Sequence, residues 1–265
     1  MTSRLLIHPN KNDAHGLVQR ITPQSANWSY VGFEAIDLEA GQTLAREGNG
    51  NELCLVLIAG RARIMAGGQD FGVLGERTNP FDGSPWSVYL PPHMDWQVEA
   101  EGAVELAICA APATGKLAAR VIPPADVGEL VRGTGTNTRY VRNILSDTAA
   151  AECLLVVEVI TPGGHWSSYP PHKHDTGTVD ETYLEETYYH RLRRGAGFAV
   201  QRVYTKDGSL DETMAIADRD VVLVPKGYHP VGAPHGFDLY YLNVMAGPIR
   251  QWKFTMDPDQ AHLPY

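Results

Sequence analysis

Short apolar runs recur along the whole chain, separated by glycine and proline. The first half contains VGFEAIDL, ELCLVLIAG, RARIMAG, SVYLPP, QVEAEG and VELAICAA. The second half contains CLLVVEVITPGG, ETYYHRL, GFAVQRVYT, TMAIAD, DVVLVPKG and DLYYLNVMAGP. Many short strands between Gly/Pro turns are typical of an all-β sandwich or barrel, and long helical periodicity is scarce. The pattern therefore predicts an all-β fold.

The two halves of the chain resemble each other at one point. VYLPPHMDWQV in the first half and VLVPKGYHPV in the second each combine an apolar strand, a proline turn and a histidine. Glu52 also precedes an apolar strand, as the glutamates do before TYYHRL, but no His-x-His comes before it. We therefore predict two copies of one β-barrel, in residues 1–125 and 126–265. Residues 113–132 are the predicted connector, in which the two consecutive prolines would end any helix.

Composition excludes several classes of protein. A net charge of −9 argues against nucleic acid or an anionic membrane as a partner. No run approaches the roughly 18 apolar residues of a membrane span, and the first residues lack the pattern of a signal peptide. Cys54, Cys109 and Cys153 are odd in number and lie in apolar stretches. They are therefore expected to be reduced thiols in a cytoplasmic protein.

Candidate chemistry is concentrated in SYPPHKHD and VPKGYHPV. His172 and His174 would share one face of a strand, because side chains at i and i+2 point the same way. Glu186 opens the next apolar strand, and His229 follows a Pro-x-Gly turn. Three imidazoles and a carboxylate suit Zn, Mn, Fe, Ni or Co. Glu185 is an alternative ligand. We prefer Glu186 because it stands directly before the strand.

The order His-x-His, Glu, Pro-x-Gly-x-His resembles the two motifs of the cupin superfamily, although the acidic loop DTGTVDETYLE is longer than usual there. PPHKHD, YLEETYYHRL, GFAVQRVYT, LDET and VLVPKGYHPVGAPHGFDLYYLNVMAGPIRQW together resemble the 5-deoxyglucuronate isomerase family of inositol catabolism. That family is related to the 5-keto-4-deoxyuronate isomerases. The resemblance is dense from about residue 160 to 258 and looser but collinear before it.

The resemblance implies a bicupin, with two β-barrel or jelly-roll cupin domains, of which only the second holds a metal. It also implies a metal-dependent aldose–ketose isomerase that converts 5-deoxy-glucuronate to 5-dehydro-2-deoxy-gluconate. A divalent cation chelated by the sugar would acidify the C2 proton and stabilise the developing charge. Because the metal need not change redox state, Zn or Mn is expected, with Fe, Ni or Co as alternatives.

Candidates for proton transfer lie on the same strand as Glu186 or on the last barrel strand. Tyr188 and His190 alternate with Glu186 and should face the same interior. Tyr240 and Tyr241 are adjacent, so only one of them points inward, and the sequence does not say which. Of the two, Tyr241 is our candidate.

The substrate carboxylate calls for a guanidinium group, whose planar fork matches a carboxylate. Arg202 is a candidate because it is a charge within the apolar run GFAVQRVYT, and Arg250 follows the last strand. Either could equally be a surface cation.

Two other functions compete with the isomerase. The same four ligands suit a metal-dependent dioxygenase, and a cupin fold also suits a non-catalytic sugar-binding protein. The expected partner is a small anionic sugar acid, and open barrel edges are compatible with a homo-oligomer.

Overall fold

The computed structural model describes residues 3–10 and 16–263, and within these ranges the chain consists mainly of strands and their connections. The strands up to residue 122 are β1 (Leu6–Ile7), β2 (Leu17–Ile21), β3 (Gly32–Leu38), β4 (Thr43–Arg46), β5 (Asn51–Ala59), β6 (Ala62–Ala66), β7 (Gln69–Leu74), β8 (Ser87–Leu90), β9 (Trp96–Ala100), β10 (Val104–Pro112) and β11 (Arg120–Ile122). The later strands are β12 (Gly128–Arg132), β13 (Arg139–Leu145), β14 (Leu155–Thr161), β15 (Trp166–Ser167), β16 (His172–Lys173), β17 (Glu185–Leu192), β18 (Ala199–Tyr204), β19 (Asp211–Ile216), β20 (Val221–Val224), β21 (Val231–Gly232), β22 (Leu239–Ala246) and β23 (Thr255–Met256).

Among the residues that the structure describes, helical structure is confined to short pieces. These are the helix α1 (Pro23–Ala26) and the 3₁₀ turns Pro124–Asp126 and Gly135–Asn137. Across the described ranges, no helix has the length and apolarity needed to cross a membrane. The predicted all-β class is confirmed.

The chain divides into two compact units. We call Asn10–Gly128 with Ile144–Val156 the N-terminal unit, and Met1–Pro9, Glu129–Asn143 and Val157–Tyr265 the C-terminal unit. Compared with a simple division of the chain at residue 125, Met1–Pro9 belongs to the C-terminal unit and Ile144–Val156 belongs to the N-terminal unit. The predicted connector, residues 113–132, contains β11 and β12 and no α-helix.

Each unit is built on the same plan of one large and one small antiparallel sheet. The N-terminal unit has sheets β11-β8-β5-β10-β3-β2 and β4-β9-β6-β7. The C-terminal unit has β1-β20-β17-β22-β14-β13-β12 and β15-β21-β18-β19, together with the pair β16-β23. Among the described strands no sheet closes on itself, so neither unit of the predicted pair of β-barrels is a closed barrel.

The hydrophobic core explains why open sheets suffice. In the N-terminal unit, Leu55 and Leu106 of the larger sheet join Ile64, Trp96 and Val98 of the smaller one in a single buried cluster. Packing sheet faces together removes apolar surface from water without hydrogen bonds between the sheet edges. Each larger sheet therefore keeps two edge strands, β11 and β2 in one unit and β1 and β12 in the other.

Strand register shows which positions of the two units correspond. The equivalent strands β8 and β20 end at Leu90 and Val224, and these residues pair with Leu53 and Glu186. Leu53 therefore occupies the place of Glu186, and Glu52 occupies that of Glu185. Three residues beyond the two strand ends, His93 (φ 62°) and Gly227 (φ 87°) both have left-handed backbones. His93 thus corresponds to Gly227 and not to His229, contrary to the similarity noted in the sequence.

Glu52 has a structural role in the N-terminal unit. Its fully buried carboxylate accepts hydrogen bonds from the backbone N–H groups of Glu152 (2.8 Å), Cys153 (2.6 Å) and Leu154 (2.6 Å). It also accepts one from the Tyr89 hydroxyl at 2.6 Å. A buried carboxylate is tolerated when such donors replace its lost hydration. Glu52 therefore anchors segment 152–154 within its unit.

Candidate metal centre

The two histidines of PPHKHD lie on and just beyond the short strand β16. His172 pairs with Met256 of β23, and the side chains of His172 and His174 are 4% and 2% exposed. The strand alternation directs both imidazoles to one side and Lys173 to the other. The predicted convergence of the two histidines is therefore present in the fold.

Glu186 and His229 complete the cluster. Glu186 Oε2 lies 3.1 Å from His174 Nε2 and 3.2 Å from His229 Nε2. One ring nitrogen from each of His172, His174 and His229 lies within 4.8 Å of the others, and all three residues are buried. Glu185 precedes Glu186 on β17 and points to the opposite face of the strand. The structure thus brings Glu186, rather than Glu185, to the histidines.

Backbone carbonyl groups fix the orientation of two imidazoles. His174 Nδ1 lies 3.1 Å from the carbonyl oxygen of Leu184, and His229 Nδ1 lies 2.9 Å from that of Gly227. A carbonyl oxygen only accepts hydrogen bonds, so both Nδ1 atoms must carry the proton. The Nε2 atoms of both rings face Glu186, and in the neutral form of each ring Nε2 carries no proton.

This arrangement fits a bound cation. When both rings are neutral, two unprotonated imidazole nitrogens face one carboxylate oxygen, and acceptors this close repel each other unless a proton or a metal ion lies between them. His229 Nε2 and His172 Nδ1 are also buried without a hydrogen-bond partner. Orienting carbonyl bonds on the far side of each ring are usual for metal-binding histidines. The donor set of three nitrogens and one oxygen suits a divalent ion.

Burial and nearby charges shift the pKa values of the cluster in different directions. Burial, with the neighbouring histidines, lowers the pKa of His172. Burial also lowers the pKa of His229, against the attraction of Glu186. For His174, burial opposes the charged form, but the hydrogen bond and charge of Glu186 outweigh it and raise the pKa. His172 and His229 are therefore neutral at pH 7, as ligands must be.

Tyr188 forms one wall beside the histidines. Its ring centroid lies 5.8 Å from that of His229 and 4.9 Å from that of Tyr241. Its hydroxyl lies 3.0 Å from Ser168 Oγ. Burial, together with the charge of Glu186, raises the pKa of Tyr188, so the phenol keeps its proton at neutral pH.

His190 and Tyr241 lie behind Tyr188. The His190 ring stacks on Tyr188 at 5.9 Å, and its Nε2 lies 3.2 Å from Gln201 Oε1. Burial lowers the pKa of His190 to about 3 despite that hydrogen bond. Of the two adjacent tyrosines on β22, Tyr241 lies beside Tyr188 and His190. The Tyr240 hydroxyl instead donates a hydrogen bond to Glu158 at 3.0 Å. The structure therefore groups Tyr188, His190 and Tyr241.

The structure does not bring Arg202 to the histidines. On β18 the neighbours Gln201 and Val203 are buried, and Arg202 points outward, 46% exposed. Its guanidinium forms a bidentate pair with Asp211 at 2.7 Å and lies 4.2 Å from the Tyr204 ring centroid. The sequence did not reveal which alternate residues of β18 face the interior, and Arg202 belongs to the set that faces solvent.

Replacing Arg202 with glutamine should therefore leave substrate affinity nearly unchanged. Exposed substitutions of this kind shift energies by about 0.5 kcal/mol or less, which is about a twofold change in an equilibrium constant. Steady-state kinetics of Arg202→Gln should show a KM within about twofold of the wild type. A KM raised more than tenfold, with an unchanged unfolding midpoint, would mean that Arg202 does contact the substrate.

Other residues that the sequence did not indicate lie beside the histidines. Arg132 and Arg139 line the same cavity as His172, Glu186 and Tyr188, whereas neither Arg202 nor Arg250 lines it. Arg139 is only 3% exposed. Its guanidinium donates hydrogen bonds to the backbone carbonyl oxygens of Asn137 and Tyr169. The feature of the sequence that could have indicated Arg139 is a charged residue at the start of the strand RYVRNIL. Arg250 is half-buried in the segment after β22.

The aromatic residues after β22 cover His172. The ring centroids of Phe254 and Trp252 lie 4.8 and 6.4 Å from that of His172. The Arg132 guanidinium lies 4.7 Å from the Trp252 ring centroid. Their spacing along the sequence gave no periodic signal, because they lie in irregular backbone next to β23.

Comparisons with known proteins give the chain a family and a fold. The sequence matches the KduI/IolB family over residues 5–263. A 5-deoxy-glucuronate isomerase from Geobacillus kaustophilus is 53% identical over 97% of this chain and 94% of the relative. One from Bacillus subtilis is 43% identical over 97% of both chains.

Solved structures extend the comparison. The crystal structure of an IolB-like protein from Salmonella typhimurium LT2 covers 98% of both chains, with a TM-score of 0.95 and 50% identity. A formate complex of the oxalate decarboxylase from Lactobacillus farciminis covers 97% of this chain and 89% of its own, with a TM-score of 0.67 and 12% identity. At that identity the likeness concerns the fold alone, and it confirms that the fold is cupin-like.

Proposed function

Because this chain belongs to the KduI/IolB family, we propose that it is the metal-dependent aldose–ketose isomerase that converts 5-deoxy-glucuronate to 5-dehydro-2-deoxy-gluconate in myo-inositol catabolism. Two relatives at 53% and 43% identity are named 5-deoxy-glucuronate isomerase, which supports isomerase activity over nearly the whole chain. The observation that supports the metal dependence is the meeting of one Glu186 oxygen with the Nε2 atoms of two buried histidines, at 3.1 and 3.2 Å.

We propose that His172, His174, Glu186 and His229 hold the metal. Zn or Mn is our first expectation, and Fe, Ni or Co also suits three nitrogens and one oxygen. A divalent ion in this position supplies Lewis-acid polarisation of the sugar carbonyl and its neighbouring hydroxyl.

The protein's own groups would orient the sugar and move its protons. Tyr188 keeps a phenolic proton beside the cluster and shares a hydrogen bond with Ser168, so it can donate to a sugar oxygen. Tyr241 packs against it at 4.9 Å between ring centroids. His190, neutral and bound to Gln201, supports the Tyr188 ring by stacking. Arg132 and Arg139 supply positive charge on the cavity wall, where an anionic sugar acid would bind.

We further propose that each unit is one cupin domain, so that the chain is a bicupin with its metal in the C-terminal unit. The repeated sheet plan supports this proposal. In the N-terminal unit, Leu53 stands at the position that Glu186 holds in the C-terminal unit. A cytoplasmic location, a small anionic sugar acid as ligand and a homo-oligomeric state belong to the same proposal. The net charge of −9 opposes binding to nucleic acid or to an anionic membrane.

Isomerisation of 5-deoxy-glucuronate in deuterated water tests the reaction. We expect the metal-loaded protein to form the ketose product, with solvent deuterium on the carbon that was C1 of the aldose if an enediolate is reprotonated there, as measured by NMR. The rate should be the same under argon, because no oxygen is consumed. A protein that converts nothing under either gas would contradict the proposal, and conversion only with oxygen uptake would favour a dioxygenase.

A further inference from the structure

The acidic loop between His174 and the strand β17 has no role in the proposed chemistry. It contains Asp175 and Glu181, and it is the segment whose length departs from the usual cupin spacing. Glu181 is 2% exposed, whereas Asp180 beside it is exposed to solvent. A buried carboxylate in a surface loop needs donors that compensate for its desolvation.

Those donors come from the segment that carries the two histidines. Lys173 Nζ lies 2.9 Å from both Glu181 oxygens and 2.6 Å from Asp175 Oδ1. Glu181 also accepts the backbone N–H groups of Asp175 and Thr176 at 2.8 Å and the Thr176 hydroxyl at 2.7 Å. Because Lys173 lies between His172 and His174, these bonds hold the strand from the side opposite the imidazoles.

Asp175 extends the network to the other metal-bearing segment. Its second oxygen, Oδ2, accepts the N–H of Gly227 at 2.7 Å. The carbonyl oxygen of Gly227 in turn lies 2.9 Å from His229 Nδ1. One carboxylate thus joins the His-x-His segment to the residue that orients His229.

Gly227 leaves this connection little freedom. Its φ is 87°, and an added Cβ would lie 2.3 Å from the carbonyl oxygen of Tyr204. Only glycine is accommodated there, so the N–H that Asp175 receives has a fixed direction. A substitution of Asp175 should therefore alter the position of His229 as well as that of His174.

We propose that Asp175 and Glu181 are positioning residues, which set the separation of His172 and His174 from His229 and thereby the metal affinity of the site. The inference rests on the proposed function, since it concerns the same metal. Groups that orient ligands from outside typically change metal affinity by about 10- to 100-fold when they are lost. The acidic loop then serves as a clamp on the ligands and does not touch the substrate.

Competition of the full-length protein with a chromogenic chelator for Zn²⁺ and for Mn²⁺ tests the inference. Asp175→Asn keeps the shape of the side chain but loses the charge shared by Lys173 and the Gly227 N–H. We expect its dissociation constants to rise by about 10- to 100-fold. Asp180→Asn, in the same loop and exposed, is the matched control and should bind like the wild type.

A second readout separates positioning from general stability. For each variant we compare the rise in the free energy of unfolding on adding metal, which at a given free metal concentration depends on affinity and not on the stability of the metal-free protein. Asp175→Asn should show a smaller rise than Asp180→Asn, and kcat should recover at saturating metal while KM stays unchanged. Glu181→Gln provides the same comparison if Asp175→Asn does not fold.

Metal affinities of Asp175→Asn and Glu181→Gln equal to the control would overturn the inference and leave the proposed function standing. A raised KM at saturating metal would also overturn it, because the loop would then act on the substrate. Wild-type protein that binds neither ion would overturn the proposed function and this inference together.

Discussion

Replacing His174 with alanine is expected to lower kcat of the isomerisation by about 100- to 1,000-fold and to remove the bound metal. His174 provides one of the two imidazole nitrogens that face Glu186 Oε2, at 3.1 Å. Lewis-acid stabilisation of developing charge is worth several kcal/mol, and each 1.36 kcal/mol is about tenfold in rate. Metal content after gel filtration and turnover of 5-deoxy-glucuronate measure the two effects.

His262→Ala is the matched control for this variant. It removes the same kind of side chain from an exposed position, so both metal content and turnover should remain at the wild-type level. A His174→Ala protein that is fully active without metal would refute the ligand assignment.

Replacing Glu52 with glutamine is expected to destabilise the protein by about 3 kcal/mol. The carboxylate accepts three backbone N–H groups and the Tyr89 hydroxyl. Glutamine keeps one acceptor oxygen, but its amide group would face donors in place of the other, and hydrogen bonds to charged groups contribute about 1.5–3 kcal/mol each. Thermal unfolding should show a Tm lower by roughly 5–10 °C.

Glu99→Gln provides the comparison, because Glu99 is an exposed residue of β9. That variant should unfold within about 0.5 kcal/mol of the wild type. Equal midpoints for the Glu52 and Glu99 variants would mean that the bonds to segment 152–154 add nothing to stability. Metal binding should be unchanged in both, since each residue lies in the N-terminal unit.

Local patterns predicted many of the longer strands, and they selected four residues that the structure brings together in the candidate centre. Continuous apolar runs such as VVLV and LYYLNVMA became the buried strands β20 and β22. The i, i+2 spacing of His172 and His174 fixed their common face, since alternation is a property of the backbone itself. Glu186 was preferred over Glu185 from its place before the strand, and the structure brings the same residue to the histidines.

Register and long-range pairing were beyond the reach of the sequence. Arg202 was selected as a charge in an apolar strand, but the inward phase belongs to Gln201, and only the pairing with neighbouring strands decides the phase. Arg139, in the mixed strand RYVRNIL, is buried although its own sequence is more polar. The similarity of His93 to His229 failed for a related reason, because a turn of equal length places His93 where the other unit has Gly227.

The strand β1 imposes an order on how the protein can be made. Its residues pair with β20, and His8, directly after the strand, contacts Asp220 at a distance of 212 positions along the chain. During synthesis β1 is made before β20, and it stays without its partner until the intervening sequence, which includes the N-terminal unit, has been translated. Closing so long a loop is slow, although its entropic cost grows only logarithmically with length. The edge of the seven-stranded sheet therefore cannot be completed before β20 has been made.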